Sequence, residues 1–512
     1  MEQKYNFKFH VLKKHIPFIA ALVFLSELLM FLSFTGGAPK TIFLDPIRYQ
    51  TTAKYIIEHG TFIKAPLSYE EFSERGPEYP DNAIVNYPCY GYSLLLAATS
   101  LATGEYSLLN GVKLNIIIMP LLAFACYWMM YSLCRKRLIS ASITLAVLFN
   151  PQVSYLSAVS RPDLLLLLLT ILAVMSMLKG KHALTALILG VGFLFREHAL
   201  MFLPFMLLLS PRVTSFKNFM LAGIVMVAAF IPFWATKYVL KLIFTPTGQV
   251  ASDYYNVFFT WIQKWFTVDA IGKFFINCWD GLFAISFVLG ALIIVCITRP
   301  KLFPKTARRL ILVASIFILI PCIMWTAMPN IKTRYFVYTL PLLWAAFVIF
   351  IAKYNWKKEN LIVGGIILIA ILTNLSPYIN KFSFSALGSP ARSIQVVAEY
   401  VDLTKDNLYK YFKPGSVLMV KYPPIPAMSL DDLIMIQMVD YDVFLEGKRN
   451  HEIDGLVFFG KNYGFPKTDF VDKQGNKFKR IFFHIKGECS VLQKEARLCR
   501  SGYLVFKRMD SL

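Results

Sequence analysis

Long apolar runs separated by short polar turns fill the first three quarters of the chain. They lie at roughly 15–34, 107–132, 138–160, 163–178, 183–196, 199–210, 218–238, 281–298, 310–328, 335–352 and 360–378. Hydrocarbon offers no partner to a backbone N–H or C=O, so each run is expected to be a helix. The runs between 183 and 210 are short and Pro204 falls in one of them, so two half-helices are an alternative there. Beyond about 379 the pattern changes. Short β-type segments at 416–420, 455–459, 478–485 and 503–507 are set among polar stretches. Ser389-Pro390, followed by Ile394, Val397, Ala398 and Val401 on one face, predicts a helix. The expected fold is an α-helical polytopic membrane protein of about eleven transmembrane helices over 1–378, with a C-terminal soluble mixed α/β or α+β domain over 379–512.

Composition agrees with that class. Of 512 residues, 56% are hydrophobic and only 16% charged, against about 25% charged in ordinary soluble domains. A hydrophilic or disordered chain is excluded. The formal charge of +22 suggests a nucleic-acid partner until the charges are placed. Lys4, Lys8, Lys13 and Lys14 precede the first run. Arg135, Lys136 and Arg137, then Lys179 and Lys181, then Arg212 and Lys217 occupy alternate turns. Arg299, Lys301, Lys305, Arg308 and Arg309 follow, and finally Lys353, Lys357 and Lys358. By the positive-inside rule these turns and the N-terminus are cytoplasmic, and the C-terminal domain is extracytoplasmic. Most of the excess charge is therefore a topology signal. No cluster of basic and aromatic residues forms a nucleic-acid groove, so no nucleic-acid partner is expected.

The N-terminus is basic and then apolar, like a signal sequence. Its apolar stretch is too long for a typical cleavable one, so it is expected to stay as an anchor. Inner connections are short. The outer connections 35–106 and 239–280 are long, and with the C-terminal domain they share one side. Work is expected at that outer face.

The first outer connection carries the chemistry. Asp45 can cap a helix starting at Pro46 and ending at Gly60, with Arg48 and Tyr49 one turn on. NYPCYGYSLLLAAT (86–99), which includes Tyr87 and Tyr90, is a Pro- and Tyr-rich lead into an apolar stretch. It is short for a span and suits a re-entrant or interfacial segment. The acidic run SYEEFSERGPEYPD (68–81) reads first as a solvated face. Asp163 starts a Leu-rich run and complements its helix dipole. Arg196 ends an apolar run, where a charge calls for a partner, and Glu197 or Asp163 would serve. Cys126, Cys134, Cys296 and Cys322 read as small buried hydrophobes. Cys489 and Cys499, ten residues apart in the external domain, are a candidate disulfide. His59 and His198 are isolated, and no Cys/His cluster has zinc spacing, so no metal site is assigned and a divalent ion stays an open alternative. GxGxxG, P-loop and HExxH motifs are absent.

These features together resemble the GT-C superfamily of integral-membrane glycosyltransferases, most nearly its aminoarabinose transferase and protein O-mannosyltransferase branch. The likeness rests on an Asp just after the first membrane helix with the pattern D-x-x-x-Y-x-x-x-A (Asp45, Tyr49, Ala53), the Tyr-Pro element before the second span, and the long first outer loop. It also rests on the Arg161-Pro162-Asp163 and Arg196-Glu197-His198 turns and on RYFVYTLPLL (334–343).

The resemblance implies transfer of a sugar from a polyprenyl-phosphate donor, with inversion, to a protein, glycan or lipid A-like acceptor at the outer face. It implies Asp45 as general base. Arg334 and Arg196 become phosphate ligands, with Arg161, Lys332 and Arg48 as further cations, Asp163 as a second acidic site, and Tyr49, Tyr87 and Tyr90 as donor or acceptor contacts. Arginine suits a departing phosphate because its planar fork donates two hydrogen bonds at once. The activated lipid phosphate makes a nucleotide cofactor unnecessary. The expected location is a bacterial inner membrane. Two readings compete: a transporter or flippase for lipid-linked sugars, which tends to show two matching halves with broken helices, and a non-catalytic envelope assembly subunit.

Overall fold

The structure is a computed structural model. It describes residues 14–35, 44–60, 69–77, 90–104, 110–157, 159–196, 198–244, 272, 274–276, 287–327, 333–353, 361–368, 408–420, 433–437, 439–459, 465–466, 468–483 and 503–509. The helices in chain order are α1 (Ile16–Thr35), α2 (Leu44–His59), α3 (Tyr69–Arg75), α4 (Tyr90–Thr103), α5 (Asn110–Cys134), α6 (Arg137–Leu148), α7 (Pro151–Ser157), α8 (Asp163–Leu178), α9 (His182–Phe195), α10 (His198–Met206), α11 (Phe216–Phe244), α12 (Phe287–Thr298), α13 (Lys305–Ala327) and α14 (Leu340–Lys353). A 3₁₀ helix, Thr333–Thr339, leads into α14. A further helix, α15, covers 361–368.

The chain divides into two compact units. The first comprises Met1–Gly36, Val112–Tyr238 and Ala251–Gly388, and the second Gly37–Gly111, Val239–Val250 and Ser389–Leu512.

The first unit is a bundle of apolar helices. Helix lies within each apolar run named above, but only four stretches among the described residues are long and apolar enough to cross a membrane: Asn110–Cys134, Phe216–Leu240, Lys305–Ile323 and Phe336–Lys353. Large apolar side chains point outward from these helices, among them Ile117, Leu121, Leu221, Ile224, Val227 and Leu312. Such a surface suits lipid as its solvent.

The run at 138–160 is broken. Asn150 accepts the Gln152 backbone N–H at 3.0 Å. Pro151 opens α7 at a position where its missing N–H costs nothing, so α6 ends and α7 begins anew. The short runs near 183–210 form α9 and α10, with Pro204 inside α10. On α9, a Cβ at Gly190 would lie 2.2 Å from the Phe233 ring of α11, so that position admits only glycine without a shift.

The second unit holds the soluble sheet. Its strands are β1 (Val417–Val420), β2 (Ile434–Gln437), β3 (Gly455–Phe459), β4 (Phe470–Val471), β5 (Lys477–Phe483) and β6 (Tyr503–Arg508), with a short helix α16 (Tyr441–Leu445) after β2. The order is β2-β1-β3-β6-β5-β4. β1 is parallel to β2 and β3, and the other pairs are antiparallel, so the sheet is mixed.

Both faces of β1 are covered, which is why SVLMV reads as a continuous apolar run. Val417 and Met419 pack with Ile436, Leu456 and Phe506 on one face, and Leu418 and Val420 with Phe412, Val457 and Val505 on the other. The four strand segments expected from the sequence are present, while β2 and β4 were not anticipated. The helix expected after Ser389-Pro390 lies outside the described residues.

This unit also takes in part of the first outer connection. Tyr69 and Phe72 of α3 belong to the apolar core under the sheet. The Tyr69 hydroxyl donates to Asn450 Oδ1 at 2.7 Å, and Asn450 Nδ2 donates to the Phe444 carbonyl at 2.6 Å. Glu70 and Glu74 face solvent. Glu70 and Glu74 thus form the solvated face of a helix whose other side is docked.

Candidate functional site

Two sets of predicted residues are placed by the structure, one in each unit.

In the first unit, three junctions between helices converge. α8 starts at Asp163, directly after the 159–162 turn that carries Arg161. α9 ends at Arg196, whose extended backbone (φ −160, ψ 129) separates α9 from α10. The 3₁₀ turn before α14 supplies Tyr338. Arg196 Nη1 donates to Asp163 Oδ2 at 2.7 Å, and the Tyr338 hydroxyl donates to Asp163 Oδ1 at 3.1 Å. The Asp163 side chain is fully buried and that of Arg196 only 6% exposed. Asp163 at a helix N-terminus and Arg196 at a helix C-terminus also have the signs that the two helix dipoles favour. The partner that the sequence left open for Arg196 is therefore Asp163. Phe202 of α10 packs on Phe317 of α13 and on Tyr338, with ring centroids 4.3 and 5.4 Å apart, and so walls the pair off.

The 159–162 turn is held from α5. Asn115 Nδ2 donates to the carbonyls of Leu156, Ser157 and Val159 at 3.3, 2.9 and 3.1 Å, satisfying acceptors at the C-terminus of α7. Ser160 and Arg161 follow immediately, and both are buried.

In the second unit, α2 carries Asp45, Arg48 and Tyr49. The helix starts at Leu44, so Asp45 lies in its first turn. It ends where expected: Gly60 adopts φ +65 and its N–H bonds to the Ile56 carbonyl at 3.1 Å. Tyr49 is buried edge-on against Tyr92 of α4, with ring centroids 5.2 Å apart. Ser100 of α4 accepts from Gln50 Nε2 at 3.2 Å and from Asn110 Nδ2 at 2.8 Å, and donates to the Leu96 carbonyl at 2.9 Å. One hydroxyl thus ties α2, α4 and the start of α5 together. α4 opens at Tyr90, and its 14 residues are short for a span.

The side chains of Asp45, Arg48, Tyr90 and Arg334 lie outside the described set, although their backbone belongs to α2, α4 and the 3₁₀ turn. Lys332, Tyr87, Cys489 and Cys499 lie outside the described residues altogether. Among the described residues, no three His, Cys, Asp or Glu side chains converge as metal ligands would.

Two residues of the first-unit site had not been singled out. Tyr338 stands four positions after Arg334 within RYFVYTLPLL, so the motif contained it. Asn115 is an amide inside an apolar helix, and a buried amide in such a place calls for partners.

No protein-family sequence profile matches the chain, and no curated protein sequence does. Solved structures do match in fold. ArnT from Cupriavidus metallidurans bound to undecaprenyl phosphate aligns with a TM-score of 0.53 at 11% identity, over 95% of this chain and 97% of that one. The oligosaccharyltransferase of Archaeoglobus fulgidus, tethered with an acceptor peptide containing the NVT sequon, aligns with a TM-score of 0.51 at 11% identity, over 87% and 69%. AglB from the same organism, in complex with an inhibitory peptide and a dolichol-phosphate, gives a TM-score of 0.50 at 11% identity, over 88% and 70%. The chain shares the fold of these structures.

Proposed function

We propose that this chain is a membrane glycosyltransferase of the GT-C type. It moves a sugar from a polyprenyl-phosphate donor to an acceptor at the extracytoplasmic face of a bacterial inner membrane. The observation that carries the reading is the fold match over nearly the whole of both chains to a protein whose structure holds undecaprenyl phosphate. The buried Asp163–Arg196–Tyr338 cluster and the Asp45 helix supply chain-specific residues of the required kinds.

In this reading about eleven helices cross the membrane, the N-terminus is cytoplasmic and the sheet domain is outside. Asp45 accepts the proton of an acceptor hydroxyl as its oxygen attacks the anomeric carbon. The bond from that carbon to the phosphate oxygen breaks, the electron pair leaves with the lipid phosphate, and configuration inverts. Arg334, Arg161, Lys332 and Arg48 are the cations offered to the developing phosphate charge. Arg196 acts together with Asp163, which holds its guanidinium in place. In this reading Tyr87 and Tyr90 contact the donor or the acceptor. No nucleotide is required, because the lipid phosphate is already a good leaving group. The acceptor is a protein, a glycan or a lipid A-like molecule.

The test is mass analysis of lipids and products from purified protein in membranes supplied with polyprenyl-phosphate sugars. Expected is a glycosylated acceptor together with free polyprenyl phosphate. A donor that stays intact while an acceptor is present overturns the reading.

A further inference from the structure

We infer that Asn115 and Ser160 form a subsite for the sugar of the lipid-linked donor, reading one of its hydroxyl or amino groups. The inference rests on the glycosyltransferase reading and deepens it by separating sugar recognition from phosphate recognition.

Both residues are fully buried. Asn115 Nδ2 is committed to three carbonyls, and carbonyls accept only from the amide nitrogen, so the orientation of this amide is fixed. Its Oδ1 then faces elsewhere and has no hydrogen-bond partner among the described residues. Ser160 Oγ has none either. The two residues meet the same turn: Asn115 holds the Val159 carbonyl, and Ser160 is the next residue. A buried polar atom left without a partner is costly and rare. An alanine at 160 would avoid that cost, so two orphaned atoms, one on this turn and one on the side chain that holds it, point to a polar group that arrives from outside.

The chemistry narrows what that group is. Asn115 Oδ1 is an acceptor only and needs an O–H or N–H. The phosphate linking a sugar to a polyprenyl chain carries no proton at neutral pH and offers acceptors alone. Phosphate therefore cannot satisfy Oδ1, whereas a sugar hydroxyl or amine can. Ser160, able to give or take a proton, pairs with the same or a neighbouring hydroxyl. The turn continues into Arg161 and Asp163, so cation and neutral acceptor stand within a few residues of each other. Arginine is suited to the phosphate, and the Asn115–Ser160 pair to the sugar.

The test uses full-length protein in lipid nanodiscs and two kinds of probe: undecaprenyl phosphate alone, and undecaprenyl phosphate carrying mannose or aminoarabinose. Ser160→Ala removes one orphaned hydroxyl and little else. Expected is a loss of affinity for a glycosylated lipid of about three- to tenfold, the worth of one hydrogen bond. Affinity for undecaprenyl phosphate stays unchanged, and the thermal midpoint of the lipid-free protein is equal or higher. Unchanged affinity for both kinds of lipid assigns the two atoms to an ordered water only and overturns the subsite. Parallel losses for both assign them to phosphate and also overturn it. Wild-type protein that binds neither lipid overturns the glycosyltransferase reading itself, a result distinct from the other two.

Discussion

Replacing Arg196 by glutamine isolates the energetics of the buried pair. Asp163 accepts from Arg196 at 2.7 Å and from Tyr338 at 3.1 Å. Without the guanidinium, a fully buried carboxylate keeps the tyrosine hydroxyl but loses the charged donor 2.7 Å away. Removing one member of a buried ion pair costs about 3–5 kcal/mol, because the other charge is left uncompensated. At roughly 2 °C per kcal/mol for a large domain, the thermal midpoint should fall by about 6–10 °C.

The double variant Asp163→Asn, Arg196→Gln leaves two neutral amides able to bond to each other, so it should fall by less than Arg196→Gln alone. Tyr338→Phe should cost about 1.5–3 kcal/mol beside an ionised Asp163, as for a hydrogen bond to a charge, and much less in the Asp163→Asn background. The assay is thermal unfolding of all variants in one detergent at one protein concentration, read as a double-mutant cycle. Losses that simply add, with Arg196→Gln near wild type, would refute the idea that Arg196 and Asp163 act as one buried unit.

The remaining expectations concern packing. Burial, reinforced by the Asp472 carboxylate, pushes the Tyr69 phenol up to about 12. The stability it contributes is present below pH 10, the ordinary phenol value, and is lost as pH rises towards 12. Tyr69→Phe should remove that alkaline step, and at neutral pH it should cost about 1–3 kcal/mol by leaving Asn450 Oδ1 without its donor. Circular dichroism or proteolysis of the full chain against pH checks both, and an unchanged alkaline transition counts against the Tyr69 lock. Gly190→Val should destabilise by about 1–3 kcal/mol, since its Cβ meets the Phe233 ring, and Phe233→Ala in the same chain should restore most of the loss. A thermal midpoint that Gly190→Val does not lower would contradict the close approach of α9 and α11.

Much of the helical layout was legible because long apolar runs admit few other structures. The end of α2 at Gly60 was legible because a positive φ favours glycine there. β2 and β4 were not, since four and two residues are too few to display a period. The docking of α3 was hidden for another reason. Tyr69 and Phe72 are isolated among acidic residues, and the bond from Tyr69 to Asn450 spans 381 positions. Nothing local signals a contact of that range. For Arg196 the sequence offered a structural partner and a phosphate ligand side by side, and only the 2.7 Å contact identifies Asp163 as the partner. Tyr338 lay inside a motif already marked, yet its value depends on where its hydroxyl points. Asn115 and Ser160 carry no sequence signal beyond being polar in apolar surroundings.

The most direct test of the transferase reading follows labelled polyprenyl-phosphate sugar in proteoliposomes that contain wild-type or Asp45→Asn protein together with a hydroxyl acceptor. Wild type is expected to release free polyprenyl phosphate in step with acceptor labelling, and Asp45→Asn to do neither at equal expression. A labelled donor that crosses the bilayer intact, with no polyprenyl phosphate released by either protein, would contradict it.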